Sequence, residues 1–144
     1  MTEPVFVDSN VFLYAFDDAH PSKQQAAREW RAALWASRLG RVSFQVLGEF
    51  YVNALRIRPD GSPEARDEVR DLLAWQPVVT DAALIELGWK IQDRYRLSYW
   101  DSLIVAASKT ASCGYLLTED LQAGQDFDGI EVVNPFVTNP QKLI

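Results

Sequence analysis

Four acidic residues fall where they could do chemistry together. Asp8 follows the apolar run Pro4-Val-Phe-Val7, and Glu49 lies inside an amphipathic stretch. Asp101 lies in Ser98-Tyr-Trp-Asp-Ser-Leu-Ile-Val-Ala-Ala, and Asp120 comes two residues after Thr118. If they converge they repel: two unit charges about 4 Å apart cost roughly 4 kcal/mol at an effective dielectric near 20. Four such groups cannot all stay ionised and unpaired, so either some bind protons or a cation sits among them. Oxygen ligands alone select a hard ion, Mg²⁺ or Mn²⁺. Two such ions about 3.5–4 Å apart support in-line cleavage of a phosphodiester. One polarises the phosphoryl oxygen and activates water; the other neutralises the leaving oxygen.

Each acid also has a plainer role. Asp8 can form an Asx-turn or cap the next helix. Ser98 and Asp101 have the spacing of a capping box. Glu49 can be a solvated flank residue, and Glu119 and Asp120 can be turn residues, with Asp120 capping a short helix at Leu121. Convergence decides between the two readings, and convergence depends on the elements that carry the acids.

Five short apolar runs read as strands: 4–7, 41–43, 77–79, 114–118 and 130–133. Helices are expected between them, over 11–16, 22–38 with Gly40 as its stop, and 44–56. A further helix starts at the Ser62 N-cap and Pro63 and runs to Trp75, after the loop Arg58-Pro-Asp-Gly-Ser-Pro63. Thr80 caps another over 81–94. Leu103 to Ala107 is apolar on every side, so the Asp101 helix is expected in a core. Glu49 lies off the stripe of Leu47, Phe50, Tyr51, Ala54 and Leu55, where a part-buried acid needs a reason.

Strands alternating with helices imply a parallel sheet covered on both faces. In such sheets a ligand site lies outside the carboxyl ends of the strands. Asp8 and Asp120 both follow strands and share that edge if their strands are neighbours. Asp101 begins the helix that leads into the strand before Asp120, which returns its start to the same edge.

The chain has 144 residues, 48% hydrophobic and 24% charged, which suits one globular domain over 1–136 with a loose tail over 137–144. One cysteine, Cys113, excludes a disulfide framework and a thiolate metal cluster. No basic-then-apolar leader opens the chain, and no apolar run approaches the roughly 18 residues of a membrane span. A cytoplasmic protein away from membranes is the expectation. The net charge of −6 argues against simple backbone binding of nucleic acid, but not against gripping phosphate through metal ions. Ten of the fourteen basic residues are Arg, suited to bidentate phosphate contacts and to surface ion pairs alike. Five tryptophans could stack on bases or pack in a core or dimer face.

Val-Asp8-Ser-Asn10-Val, Glu49 in a helix after a short strand, Ser-Tyr-Trp-Asp101-Ser-Leu-Ile-Val-Ala-Ala, and Leu-Leu-Thr118-Glu-Asp120-Leu resemble the acidic motifs of PIN-domain nucleases. The likeness is strongest to VapC-type toxins of bacterial toxin–antitoxin pairs and extends from about Val5 to Phe136. It implies a PIN-like three-layer α/β/α fold with a five-stranded parallel sheet. It also implies Mg²⁺- or Mn²⁺-dependent cleavage of RNA, a homodimer, and inhibition by a cognate antitoxin. Carried over residue by residue, the catalytic acids are Asp8, Glu49, Asp101 and Asp120, with Asp8, Asp101 and Asp120 on the metal. Thr118 matches a hydroxyl near the metal, and Ser9 or Asn10 a polar position after the first acid. Glu119 is an additional acid with no role in the motif. Arg56 and Arg58, just beyond the Glu49 helix, are candidate RNA contacts.

Other chemistries find less support. His20 is the only histidine and no Gly-x-Ser-x-Gly accompanies it, which removes a hydrolase triad. No Gly-x-Gly occurs, which removes the dinucleotide fingerprint. A phosphatase of the haloacid-dehalogenase type would use Asp8 as nucleophile, but it wants a second Asp where Asn10 stands. A non-catalytic partner-binding module would be marked by loss of one acid, and all four are present.

Overall fold

In the first strand, Val5, Phe6 and Val7 are all buried. Successive side chains point to opposite faces, so both faces of this strand are covered. The structure, a computed structural model that describes residues 3–144, shows how. Strand β1 (Val5–Val7) leads directly into α1 (Ser9–Phe16), then α2 (Pro21–Ser37), β2 (Gly40–Arg41) and α3 (Phe44–Ile57). Next come α4 (Ser62–Leu72), extended by a 3₁₀ turn over Leu73–Trp75, α5 (Ala82–Tyr95) and α6 (Tyr99–Thr110). β3 (Tyr115–Leu117) and β4 (Glu131–Val133) complete the sheet, whose order is β2-β1-β3-β4 and whose pairs are all parallel. Helices α1 to α4 pack on one another, and α5 packs on α6.

The sheet has four strands among the described residues, not the expected five. Residues 77–79 make one parallel bridge, Ser43 with Val78. Val78 N–H donates to Val42 O and Phe44 N–H to Val78 O, both at 3.0 Å. The ladder goes no further because Gln76, which would bond next, is left-handed (φ 53°) with its N–H on Leu73 O at 3.3 Å, and Asp81 N–H turns back onto Val79 O at 3.1 Å.

Local chemistry explains most helix ends. Asp81, not Thr80, caps α5, its Oδ1 accepting Leu84 N–H at 2.9 Å. Gly61, not Ser62, precedes α4, and Pro63 sits in the first turn, where its missing N–H is harmless. The α6 helix is buried from Ser102 to Ser108, as its all-round apolarity required. Gly88 lets α5 approach it closely: a Cβ there would lie 2.7 Å from Leu103 Cδ2.

The segment expected as a loose tail packs back on the domain. Trp30 is fully buried, and its indole N–H donates to Pro135 O at 3.1 Å and Thr138 O at 3.0 Å. A buried indole N–H needs an acceptor, and Pro135 just before the tail and Thr138 within it supply two. Pro140, in a 3₁₀ turn over Pro140–Lys142, is buried too.

Candidate active site

The registers of β1 and β3 align Val7 with Leu117, so the residues that follow them, Asp8 and Thr118, emerge side by side. Asp8 N–H extends the ladder to Leu117 O at 3.0 Å, and Thr118 N–H reaches Val133 O at 3.1 Å. The chain then turns at once into α1, with Asp8 as its N-cap and its Oδ1 accepting Ser9 N–H at 2.7 Å. The Asx-cap role and the site role therefore fall on one residue. The cap uses one carboxylate oxygen and leaves the other facing the strand edge.

That second oxygen meets a polar cluster. Thr118, fully buried, donates its hydroxyl to Asp8 Oδ2 at 2.9 Å. Asn10 Nδ2 lies 3.0 Å from Thr118 Oγ1, 3.2 Å from Asp120 Oδ2 and 3.4 Å from Asp8 Oδ2. An amide has two N–H bonds, so it divides them among three oxygens and draws them together. Asp120 N–H in turn donates to Thr118 Oγ1 at 3.1 Å. Asp120 caps no helix: none starts at Leu121, and the chain runs through bends and a turn to β4.

Glu49 arrives from α3 on the other flank. Ser9 Oγ donates to its Oε2 at 3.3 Å, so Ser9 joins Asp8 through its backbone and Glu49 through its side chain. Gln45 Nε2 donates to Glu49 Oε1 at 2.7 Å and to Trp100 O at 3.3 Å. The second bond ties the start of α6, and with it Asp101, to Glu49. Gln45 escaped the sequence reading, although it stands four residues before Glu49, the spacing of helical neighbours.

Asp101 tests the capping-box expectation. Its N–H donates to Ser98 Oγ at 3.1 Å, which is half of the box. Its carboxylate makes no return bond to Ser98 and, among the described residues, no hydrogen bond or ion pair at all. It is half-buried. The backbone is capped while the carboxylate stays uncommitted.

Electrostatics mark Asp8. Burial pushes its carboxyl from 3.8 up to about 7; Ser9 N–H and the Thr118 hydroxyl pull it down, and the charges of Asp120 and Glu49 push it further up. The structure thus brings Asp8, Asp120 and Thr118 together through Asn10 and adds Glu49 through Ser9. It does not gather all four acids into a closed cage: among the described residues no three acidic, His or Cys side chains lie close enough to hold an ion. The donor set is nevertheless one that Mg²⁺ or Mn²⁺ accepts. These ions are held by one or two carboxylates and keep several waters, which fits an open pair, Asp8 and Asp120, beside a hydroxyl.

Two expectations change character. Glu119 N–H donates to Asn10 Oδ1 at 3.4 Å, but its carboxylate turns to Lys23 Nζ at 3.0 Å. Lys23 also lies 4.6 Å from the Tyr14 ring centroid and 5.0 Å from that of Phe136. Glu119 thus pins α2 to the site loop. Arg58 lies over the Phe16 ring at 3.8 Å and donates from Nη2 to Phe16 O at 3.3 Å. Arg56 is exposed, with one contact to Asn53 Oδ1 at 3.4 Å.

Residues 5–125 match the PIN domain family. The fold is similar to a chain of a toxin–antitoxin complex from Klebsiella pneumoniae, at 19% identity and a TM-score of 0.59, covering 91% of this chain and 97% of that one. It is also similar to Mycobacterium tuberculosis VapC20, a sarcin–ricin loop cleaving toxin, at 21% identity and a TM-score of 0.59, covering 78% of this chain and 86% of that one. Among curated proteins none matches.

Proposed function

The chain belongs to the PIN domain family, and from that premise we propose that it is a metal-dependent endoribonuclease, the toxin of a toxin–antitoxin pair. The observation that carries the reading is the Asp8–Thr118–Asn10–Asp120 cluster at the carboxyl edge of the sheet. A buried carboxyl held near 7 gains most from a cationic neighbour. Membership of this family leaves the phosphatase reading without support, and the presence of all four acids speaks against a silent module.

In this reading Asp8, Asp120 and Asp101 would hold Mg²⁺ or Mn²⁺, with Thr118 beside Asp8. When bound, the ion supplies Lewis-acid polarisation of a phosphoryl oxygen and lowers the pKa of its water. Asn10 holds the two ligand carboxylates in register. Ser9 and Gln45 orient Glu49 from either side, and Gln45 also sets the position of the α6 start. The test is incubation of purified protein with single-stranded RNA, in Mg²⁺ and in EDTA. Cleavage only with the metal supports the reading; intact RNA in both, or equal cleavage in both, removes it.

Gln45→Ala should reduce cleavage by about 10–100-fold, the usual range for a residue that orients a metal-site carboxylate. Its stability should change by less than about 1 kcal/mol, since Gln45 is half-buried and bonds only at the site. Unchanged turnover would remove Gln45 from the machinery.

Arg56 remains a candidate RNA contact, and Arg56→Glu should weaken RNA binding and flatten its salt dependence. Arg58→Ala should instead cost about 1–2 kcal/mol of stability, from the lost stacking on Phe16 and the bond to its carbonyl. Urea unfolding of each variant, with binding measured over a salt series, separates the two.

The reading includes a cognate antitoxin, a homodimer and a cytoplasmic setting. Support for a protein partner comes from an apolar groove between α3 and α4 of about 460 Å³, lined by Phe44, Leu47, Tyr51, Val69 and Leu73. Phe44 and Leu73 are 48% and 46% exposed there, high for side chains of their size. No helix among the described residues is long and apolar enough to cross a membrane. A small gene encoding a DNA-binding protein, overlapping upstream, would support the toxin assignment; its absence would weaken that part alone.

A further inference from the structure

A second cavity, of about 330 Å³, opens at the other edge of the sheet. Gly40 in its wall pairs with Val5 at the start of β1, whereas Asp8 follows the end of that strand, about 10 Å further along. The residues of its lining that bear on binding are Trp35, Arg38, Gly40, Arg41, Trp75 and Gln76.

Three features distinguish it. The first is charge. The chain carries a net −6, yet two arginines and no carboxylate line this cavity. Arg38 is exposed, and among the described residues its guanidinium has no ion-pair or hydrogen-bond partner. Arg41 commits Nη1 to Arg38 O at 3.0 Å and Gly40 O at 2.9 Å, which orients the group; among the described residues its other N–H bonds have no partner. The second is a fixed aromatic surface. The Trp35 and Trp75 rings lie 6.1 Å apart and are inclined by 37°. Trp35 is 43% exposed, and the Arg31 guanidinium braces it at 5.2 Å from the ring. The third is how closely the wall is built. A Cβ at Gly40 would fall 2.4 Å from the Trp75 ring carbons, so the indole lies on bare backbone.

Unpaired guanidinium groups seek an anion of phosphate or carboxylate geometry. An exposed indole beside them seeks a planar ring, and base–aromatic stacking is insensitive to which base it is. Gln76 adds an amide that can donate to and accept from a ring edge. A volume near 300 Å³ lies at the lower end of small-molecule sites. We propose that this cavity binds a nucleotide unit, its phosphate between Arg38 and Arg41 and its base against Trp35. The site is remote from the acids, and the proposal does not rest on the nuclease reading. The unit can come from a free mononucleotide or from one residue of an RNA strand.

Indole N–H resonances test this, because the chain has five tryptophans that can be assigned one at a time. AMP and CMP should each move the Trp35 and Trp75 signals saturably and leave those of Trp30, Trp89 and Trp100 in place. Inorganic phosphate alone should bind at least about tenfold more weakly, and Arg38→Glu should raise the Kd for AMP by at least about tenfold. Arg38→Lys, which keeps the charge without the fork, should fall between. A short single-stranded oligoribonucleotide, added to Asp8→Asn protein, separates the sources. The same shifts at lower concentration assign a nucleotide of a strand; shifts with AMP alone assign a free one. No movement of Trp35 and Trp75 at millimolar AMP, or AMP binding unchanged in Arg38→Glu, overturns the proposal.

Discussion

Asp8→Asn should lower Mg²⁺-dependent RNA cleavage by on the order of 10³-fold or more, while the far-ultraviolet circular dichroism stays native. The magnitude follows from losing the charge that holds the ion, since a bound metal supplies several kcal/mol and each 1.36 kcal/mol is about tenfold in rate. The fold should survive because Asn still presents a carbonyl oxygen to Ser9 N–H, the bond by which Asp8 caps α1. Asp101→Asn should show a comparable loss by a different route. Its carboxylate has no partner to strand, and its backbone cap belongs to Ser98. Asp101→Ala should therefore cost much less than the roughly 0.5–2 kcal/mol of a lost cap. Single-turnover cleavage and urea unfolding of the three variants check both halves. Retained cleavage in Asp8→Asn sinks the proposed mechanism, and a large stability loss in Asp101→Ala returns that residue to a structural role.

The second large effect is on stability against pH in EDTA. The Asp8 carboxyl is raised from 3.8 to about 7, so the folded chain binds this proton more tightly than the unfolded chain does. Its contribution is fully present below the unfolded value and is lost as pH rises through the folded one. That rise corresponds to about 4 kcal/mol lost between about pH 4 and pH 8. Asp8→Asn removes the titration, so the wild-type and variant profiles should diverge over that window by about this amount, whatever constant offset the new amide introduces. Mg²⁺ should restore the wild-type stability at about pH 8 and do little for the variant, because an ion stabilises only the state that binds it. Parallel profiles would show that Asp8 is not strained by burial. Asp120→Asn should do less, since Asp120 is exposed and water screens its charge. Metal-free Asp120→Asn should be at least as stable as wild type.

Much of the fold is legible in short-range chemistry. The runs around Val5–Val7 and Tyr115–Leu117 are too apolar to face water on either side, and that alone demands a covered parallel sheet. The α6 core from Ser102 to Ser108 follows from an apolar run with no polar face. What failed locally failed where two short-range signals compete. Thr80 and Asp81 are both good caps, and Asp81 prevails because its carboxylate meets Leu84 N–H, three residues on. Residues 77–79 look like a strand by composition, but Gln76 before them is left-handed and Asp81 N–H turns the chain back onto Val79 O, so the pairing stops at one bridge.

The sequence by itself determined which residue types could do chemistry and on which edge of the sheet they would stand. Composition and order suffice for Asp8, Asp101 and Asp120, because each stands within three residues of the end of a strand or the start of a helix; Glu49, inside α3, is not placed this way. Only the tertiary structure decided their relations. Asp8 and Asp120 are 112 residues apart, and the hydrogen bonds of Asn10 to both depend on β1 and β3 being neighbours in register. Gln45 became visible only when α3 and α6 were packed, since its amide bridges a carboxylate and a carbonyl from two helices. Arg58 and Arg38 make the same point from opposite sides. Both end helices as exposed-type residues in sequence, yet one is spent on Phe16 while the other faces a cavity without a counter-charge. Which guanidinium is free is set by what folds beside it, and a linear chain does not contain that information in any local pattern.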